Sequence, residues 1–246
     1  MLKGKDFFAV KEVGTTAGNG LKRLIIAERK LRIANATTMP ESKYISASCS
    51  IVDGVVKKND KVLYWQEGVL VKDFLLSAYK QLGIDYPKFY KMDKLSQLGF
   101  LATEVMLKED LGKGRYAPEQ TGIVFANRNA SLDADLAYWE TVKNIASPAL
   151  FVYTLPNIVI GEICIRNNFK GENAFFVQEN FDTAFTEFYV NDLMDRHNLS
   201  ACICGWVDIV GEEYAAVIYL IEKEKKANAV LFTKENINHI YEIANG

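Results

Sequence analysis

The chain has 246 residues, 49% of them apolar and 24% charged, and its net charge is −2. That length can bury a full core, as one large domain or two small ones, and the near-neutral balance gives no global pull toward nucleic acid. No apolar run reaches about 18 residues, and the N-terminus lacks a signal-peptide pattern, so a cytoplasmic protein without a membrane span is expected.

Residues 1–42 read as a basic extension or an atypical first element. Lys3, Lys5, Lys11, Lys22, Arg23, Arg29, Lys30 and Arg32 face only Asp6, Glu12 and Glu28. A solvated or partner-contacting basic face is expected there. Residues 43–246 are expected to form the main domain.

"KYISASCSIV" alternates weakly and reads as a strand, and the polar "DGVVKKNDKV" after it as turn. "VKDFLLSAYKQLGI" has helical spacing at Phe74, Leu75, Ala78, Tyr79 and Leu82, with Gly83 as a stop. "KMDKLSQLGFLATEVMLKEDLG" is the clearest amphipathic helix, closed by Gly112. "TGIVFANRNA" is a buried strand ending in a turn, and "SLDADLAYWETVKN" a helix. "TLPNIVIGEICIRNNF" suits a helix starting at Pro156 with Gly161 as a small packing position. Its β-branched residues would also suit a strand.

"NAFFVQ" reads as a short buried strand running through a tight junction into the helix "DTAFTEFYVNDLMDRHN". Two more strands follow, "SACICGWVDIV" and "YAAVIYLIEKE". The alternation implies an α/β fold, a mostly parallel or mixed sheet with helices on both faces. Strand-to-helix junctions often mount a nucleophile, because exposed N–H groups and the helix dipole favour negative charge. This one carries Gln178, Glu179 and Asn180. Asn180 suits the cap of a helix begun by Phe181, and Glu179 would be a general base only if burial raised its pKa.

Cys49, Cys164, Cys202 and Cys204 all lie in apolar runs without metal-ligand spacing, and only His197 and His239 could complement them. Buried reduced thiols and no metal site are expected. Nucleotide, zinc-protease and serine-hydrolase motifs are missing, so no cofactor is expected. "LGKGRY" ends a helix instead of opening one and reads as a surface turn.

Three blocks together resemble the N-terminal half of the β-ketoacyl synthases, the thiolase-fold condensing enzymes. They are "KMDKLSQLGFLATEVM", "GIVFANRNASLDADLAYWE" and "SPALFVYTLPNIVIGEICIRNNFKGENAFFV". The third carries the Ser-Pro, Pro-Asn and late-glycine order of the family at Ser147, Pro148, Pro156, Asn157, Gly161 and Gly171. The resemblance implies a thiolase-like fold, N-terminal half only. It places the family's catalytic cysteine nine residues after Gly171, where this sequence has Asn180. Two catalytic histidines of the family's second half have no counterpart. Family members with Gln at the cysteine position decarboxylate malonyl groups, and Gln178 lies two residues early for that role.

The implied function is a non-catalytic, chain-length-factor-like subunit in fatty-acid, polyketide or polyene biosynthesis. Its implied partners are a second copy of itself, a full-length ketoacyl synthase, or an acyl carrier protein. Two alternatives stand beside it. One is a residual acyl-thioester decarboxylase or hydrolase using Glu179 or backbone N–H groups. The other is an acyl-chain or carrier-protein binding module, with Phe175, Phe176 and Phe181 lining a pocket or interface. Half of a duplicated body would also leave a helix layer uncovered, which favours self-association.

Overall fold

A computed structural model describes residues 41–108 and 114–246. The basic face within 1–32 and the Gly112 helix stop lie outside these residues, as does the first half of "LGKGRY". Strand β1 (Tyr44–Val52) turns Ala47, Cys49 and Ile51 toward one core. The stretch after it, expected as turn, contains two strands, β2 (Val55–Lys58) and β3 (Lys61–Trp65). The polar residues are confined to the connections. Asp53 and Gly54 have φ of 47° and 73°, and Asn59 and Asp60 have 47° and 64°. Positive φ at both central residues gives the type I′ hairpin, which Asn, Asp and Gly tolerate best.

Helix α1 (Val71–Gln81) buries Val71, Phe74, Leu75, Ala78 and Tyr79, and Gly83 follows it with φ of 66°, as a stop residue should. A 3-10 turn over Pro87–Lys91 leads to α2 (Lys94–Leu107). Asp93 caps α2, its carboxylate accepting from Ser96 N–H at 3.1 Å and Leu95 N–H at 3.3 Å. Twelve of the 14 residues of α2 are buried, so this helix is central and not merely amphipathic. Its buried polar groups are satisfied: Gln97 donates to the Phe89 carbonyl at 2.9 Å and Thr103 to the Gly99 carbonyl at 2.8 Å.

Next come β4 (Thr121–Asn127), α3 (Leu132–Val142), α4 (Pro148–Val152) and α5 (Ile158–Asn167). The β-branched run is thus helical. Val159, Ile160 and Ile163 form one buried stripe, and tertiary packing overrides their strand preference. The tight packing position is not Gly161, beside which there is open space, but Gly99 of α2. A Cβ at Gly99 would lie 2.5 Å from a Val159 methyl.

Strand β5 (Asn173–Val177) leads into α6 (Thr183–Arg196), followed by β6 (Ala201–Val210), β7 (Glu213–Glu222), β8 (Val230–Leu231) and α7 (Lys234–Asn245). The sheet order is β3-β2-β1-β7-β6-β4-β5, with β8 paired to the start of β1. The sheet is mixed: β4 runs parallel to β5 and β6, and the other pairs are antiparallel. β5 is an edge strand, half exposed, where a buried one was expected.

Helices cover both faces. α1, α2 and α5 pack over Cys49, Ile123, Ile203 and Ile218. α6 and α7 pack over Ile45, Val124, Cys202 and Tyr219. Helix α2 is enclosed by α1, α5 and the sheet, whereas α3 leaves Leu132, Leu136 and Trp139 exposed. Among the described residues no helix is long and apolar enough to cross a membrane.

Candidate functional site

The parallel strands β4 and β5 end side by side, with Asn127 opposite Val177, while β6 runs on beside them to Val210, and the two crossovers diverge. The β4–β5 connection passes over the α2 face through α5, and the β5–β6 connection over the opposite face through α6. Crevices outside the carboxyl ends of strands at such a divergence are the usual ligand positions of α/β sheets. The junction 178–182 lies there.

Helix α6 begins at Thr183, and Asp182 is its cap, accepting from Phe185 N–H at 2.8 Å. Asn180 was expected as the cap, but it lies two residues before it and is otherwise engaged. The Arg128 guanidinium donates to Asn180 Oδ1 at 2.9 Å and to the Glu179 carbonyl at 2.7 Å. Arg128 opens the loop after β4. Asp208 of β6 fixes that loop, accepting from Arg128 N–H at 3.2 Å, Asn129 N–H at 3.0 Å and the Asn129 side chain at 2.7 Å. Asn127 closes the turn by bonding both backbone groups of Ala130, whose φ is 48°. The carboxyl ends of three strands are therefore tied by one arginine and one aspartate.

Gln178 continues the ladder by donating its N–H to the Asn127 carbonyl at 2.8 Å, and its buried Oε1 accepts no hydrogen bond among the described residues. The Glu179 side chain is exposed, and it is the residue's backbone carbonyl, not its carboxylate, that meets Arg128. The burial that a general base at Glu179 would require is missing.

The three phenylalanines do not converge. Phe175 packs on the α2 side of the sheet and Phe176 on the α6 side, as strand alternation dictates. Phe176 meets Phe185 and Tyr189 edge-on, with ring centroids 4.9 and 4.8 Å away. Phe181 fills the space between β6 and α7, 6.0 Å from the Trp206 ring and 5.0 Å from that of Tyr241. Burial, with Asp208 nearby, pushes the Tyr241 hydroxyl up from its ordinary value, and Arg128 offsets part of that. Clefts of about 390 Å³ between β1 and α7, and about 590 Å³ beside the β2–β3 hairpin and α1, do not include these rings.

The thiols stand apart from the junction. Cys49, Cys202 and Cys204 are fully buried, and burial raises all three. Cys164 on α5 is pushed up to about 11 by the same cause. His197 and His239 are at the surface, so neither pairs with a core cysteine, and His197 Nδ1 lies 3.6 Å from Glu172. Among the described residues no group of His, Cys, Asp and Glu is arranged to hold a metal. Sequence reasoning missed Arg128 and Asp208. The available signals were an arginine directly after a fully buried strand and the one charge inside "ACICGWVDIV".

No protein-family model matches the chain, and no curated protein matches it in sequence. Solved structures do match in fold. The ishigamide ketosynthase/chain length factor matches with a TM-score of 0.55 at 14% identity, over 76% of this chain and 63% of that one. A complex of a ketosynthase with its chain length factor from Xenorhabdus doucetiae matches at 0.50 and 11%, over 83% of this chain and 92% of the matched chain. A type II polyketide acyl-carrier protein in complex with its ketosynthase matches at 0.50 and 15%, over 75% and 63%. The chain thus spans less than two thirds of the ishigamide protein, but nearly all of the matched chain in the Xenorhabdus complex. The fold is the thiolase-like α/β fold of ketosynthases and chain length factors. At these identities the likeness is one of fold.

Proposed function

We propose that this chain is a non-catalytic, chain-length-factor-like subunit. It pairs with a full-length ketosynthase in the cytoplasm, during assembly of a fatty-acid, polyketide or polyene chain. The observation that carries the reading is the residue pair at the β5–α6 junction. Asn180 presents an amide where the resemblance places the condensing thiol, and Arg128 holds that amide by a hydrogen bond of 2.9 Å. An amide is no nucleophile toward a thioester at neutral pH. The native cysteines are no substitute, since three lie in the core with thiols raised by burial.

Pairing with a ketosynthase is supported by the company this fold keeps, because two of the matched structures are complexes of a ketosynthase with a chain length factor or a carrier protein. An acyl carrier protein is the third component on this reading. The test is size analysis of the chain alone and co-expressed with full-length ketosynthases of its host. A complex with one of them is expected. A strictly monomeric protein that binds none of them contradicts the reading.

A further inference from the structure

We propose that the cleft between β1 and α7 is a binding site for a small zwitterion with an aliphatic body, the chemistry of an aliphatic α-amino acid. This inference is independent of the pairing reading and rests on other residues.

Strand alternation builds one wall of the cleft. Ala47, Cys49 and Ile51 turn to the α2 side of the sheet, so Ser46, Ser48 and Ser50 share the opposite face. All three serines line the cleft, whose volume of about 390 Å³ falls within the range of small-molecule sites, roughly 300–1,000 Å³. None of their hydroxyls makes a hydrogen bond among the described residues, and Ser46 Oγ is buried as well as unpaired. A buried hydroxyl without a partner is costly, and a ligand group that meets it removes the cost.

The β2–β3 turn fixes two charges beside this row. Lys57 of β2 stands directly across from Ser50, which puts one carboxylate within reach of both. Asn59 clamps the turn to β1. Its N–H donates to the Ser48 carbonyl at 2.9 Å, and its Oδ1 accepts from Ser48 N–H at 2.8 Å. Asp60 comes next, at a φ of 64°, and lines the same cleft as Lys57. The two carry opposite charges, yet neither is paired with the other or with any other described residue.

Helix α7 supplies an apolar wall. Ile240, Ile243 and Ala244 lie at i, i+3 and i+4, share one side of the helix and line the cleft. Ile243 is 42% exposed, so this wall has apolar surface left to cover.

The charges select among ligands. A simple fatty acid brings a carboxylate to Lys57 and leaves Asp60 beside its chain, and a simple amine does the reverse. A zwitterion answers both charges. The serine hydroxyls then donate to its carboxylate and accept from its ammonium, while an aliphatic side chain covers Ile243.

The experiment is calorimetric titration of the full chain with L-leucine, with isocaproate, which is leucine without its amine, and with isoamylamine, which lacks the carboxylate. Saturable binding of leucine is expected, with each analogue weaker by about 10-fold or more, the worth of one charge-assisted contact. Lys57→Gln and Asp60→Asn should each weaken leucine binding by a similar factor and leave the melting temperature of the free protein in place. Asparagine tolerates the positive φ at position 60. Lys61→Gln, outside the cleft, should change nothing. In amide spectra, leucine should shift Ser46, Ser48 and Ser50. Leucine that gives neither saturable heat nor these shifts overturns the inference, as does leucine binding that survives both Lys57→Gln and Asp60→Asn. Isocaproate or isoamylamine that binds as tightly as leucine overturns the choice of a zwitterion. None of these outcomes depends on a ketosynthase, so the pairing reading stands or falls separately.

Discussion

Arg128 does at the junction what a catalytic group cannot. Its guanidinium spends two donors on Glu179 and Asn180, binding the loop after β4 to the loop after β5. Arg128→Ala should cost about 1 kcal/mol, since the arginine is exposed and each bond's net worth is modest. Amide exchange at Gln178–Asn180 should accelerate while β6 stays protected. Arg128→Lys should recover only part of this, because a single ammonium does not reproduce the planar fork. An unchanged exchange pattern in Arg128→Ala would remove the arginine from the account. Gly171 has a comparable local reason. A Cβ there would lie 2.4 Å from the Thr121 carbonyl oxygen, so the chain can enter β5 beside β4 only without a side chain.

Helix α6 depends on a cap that lies two residues beyond the one expected. Asp182→Ala should cost about 1 kcal/mol, whereas Asn180→Ala should cost less because it leaves the cap in place. Urea denaturation of the two variants checks the order, and the reverse order would show that Asn180 is the working cap. Most elements were legible in the sequence, because helices such as α1 and α2 and strands such as β4 and β6 carry their periodicity or length openly. The β2–β3 hairpin was hidden by its turn residues, whose polarity masks short strands. The exposed edge position of β5 was not legible either, since burial of "NAFFV" depends on which neighbours the chain brings to it. Of the site, the junction itself was legible. The Arg128–Asp208 frame was not, because it joins residues 80 apart in sequence.

Three of the four thiols are core groups and the fourth, Cys164, is partly buried, and this gives the stability of the whole molecule a pH signature. An unfolded cysteine titrates near about 8.5, whereas burial raises Cys49, Cys202 and Cys204 and pushes Cys164 to about 11. Raised folded values mean that this contribution is complete below the unfolded pKa and is lost as pH climbs toward the folded ones. The urea midpoint should therefore hold steady to about pH 8.5 and fall between there and about 11. A midpoint that stayed level through that interval would show that the thiols are not shielded. The proposed function rests on the same shielding together with the amide that Asn180 holds at the junction. The most direct measurement is the intact mass of each subunit after the chain and its ketosynthase partner are incubated together with an acyl thioester. Acyl mass is expected on the partner and none on this chain, alone or in the complex. Acyl mass on this chain, or thioester turnover by it alone, would contradict the central claim.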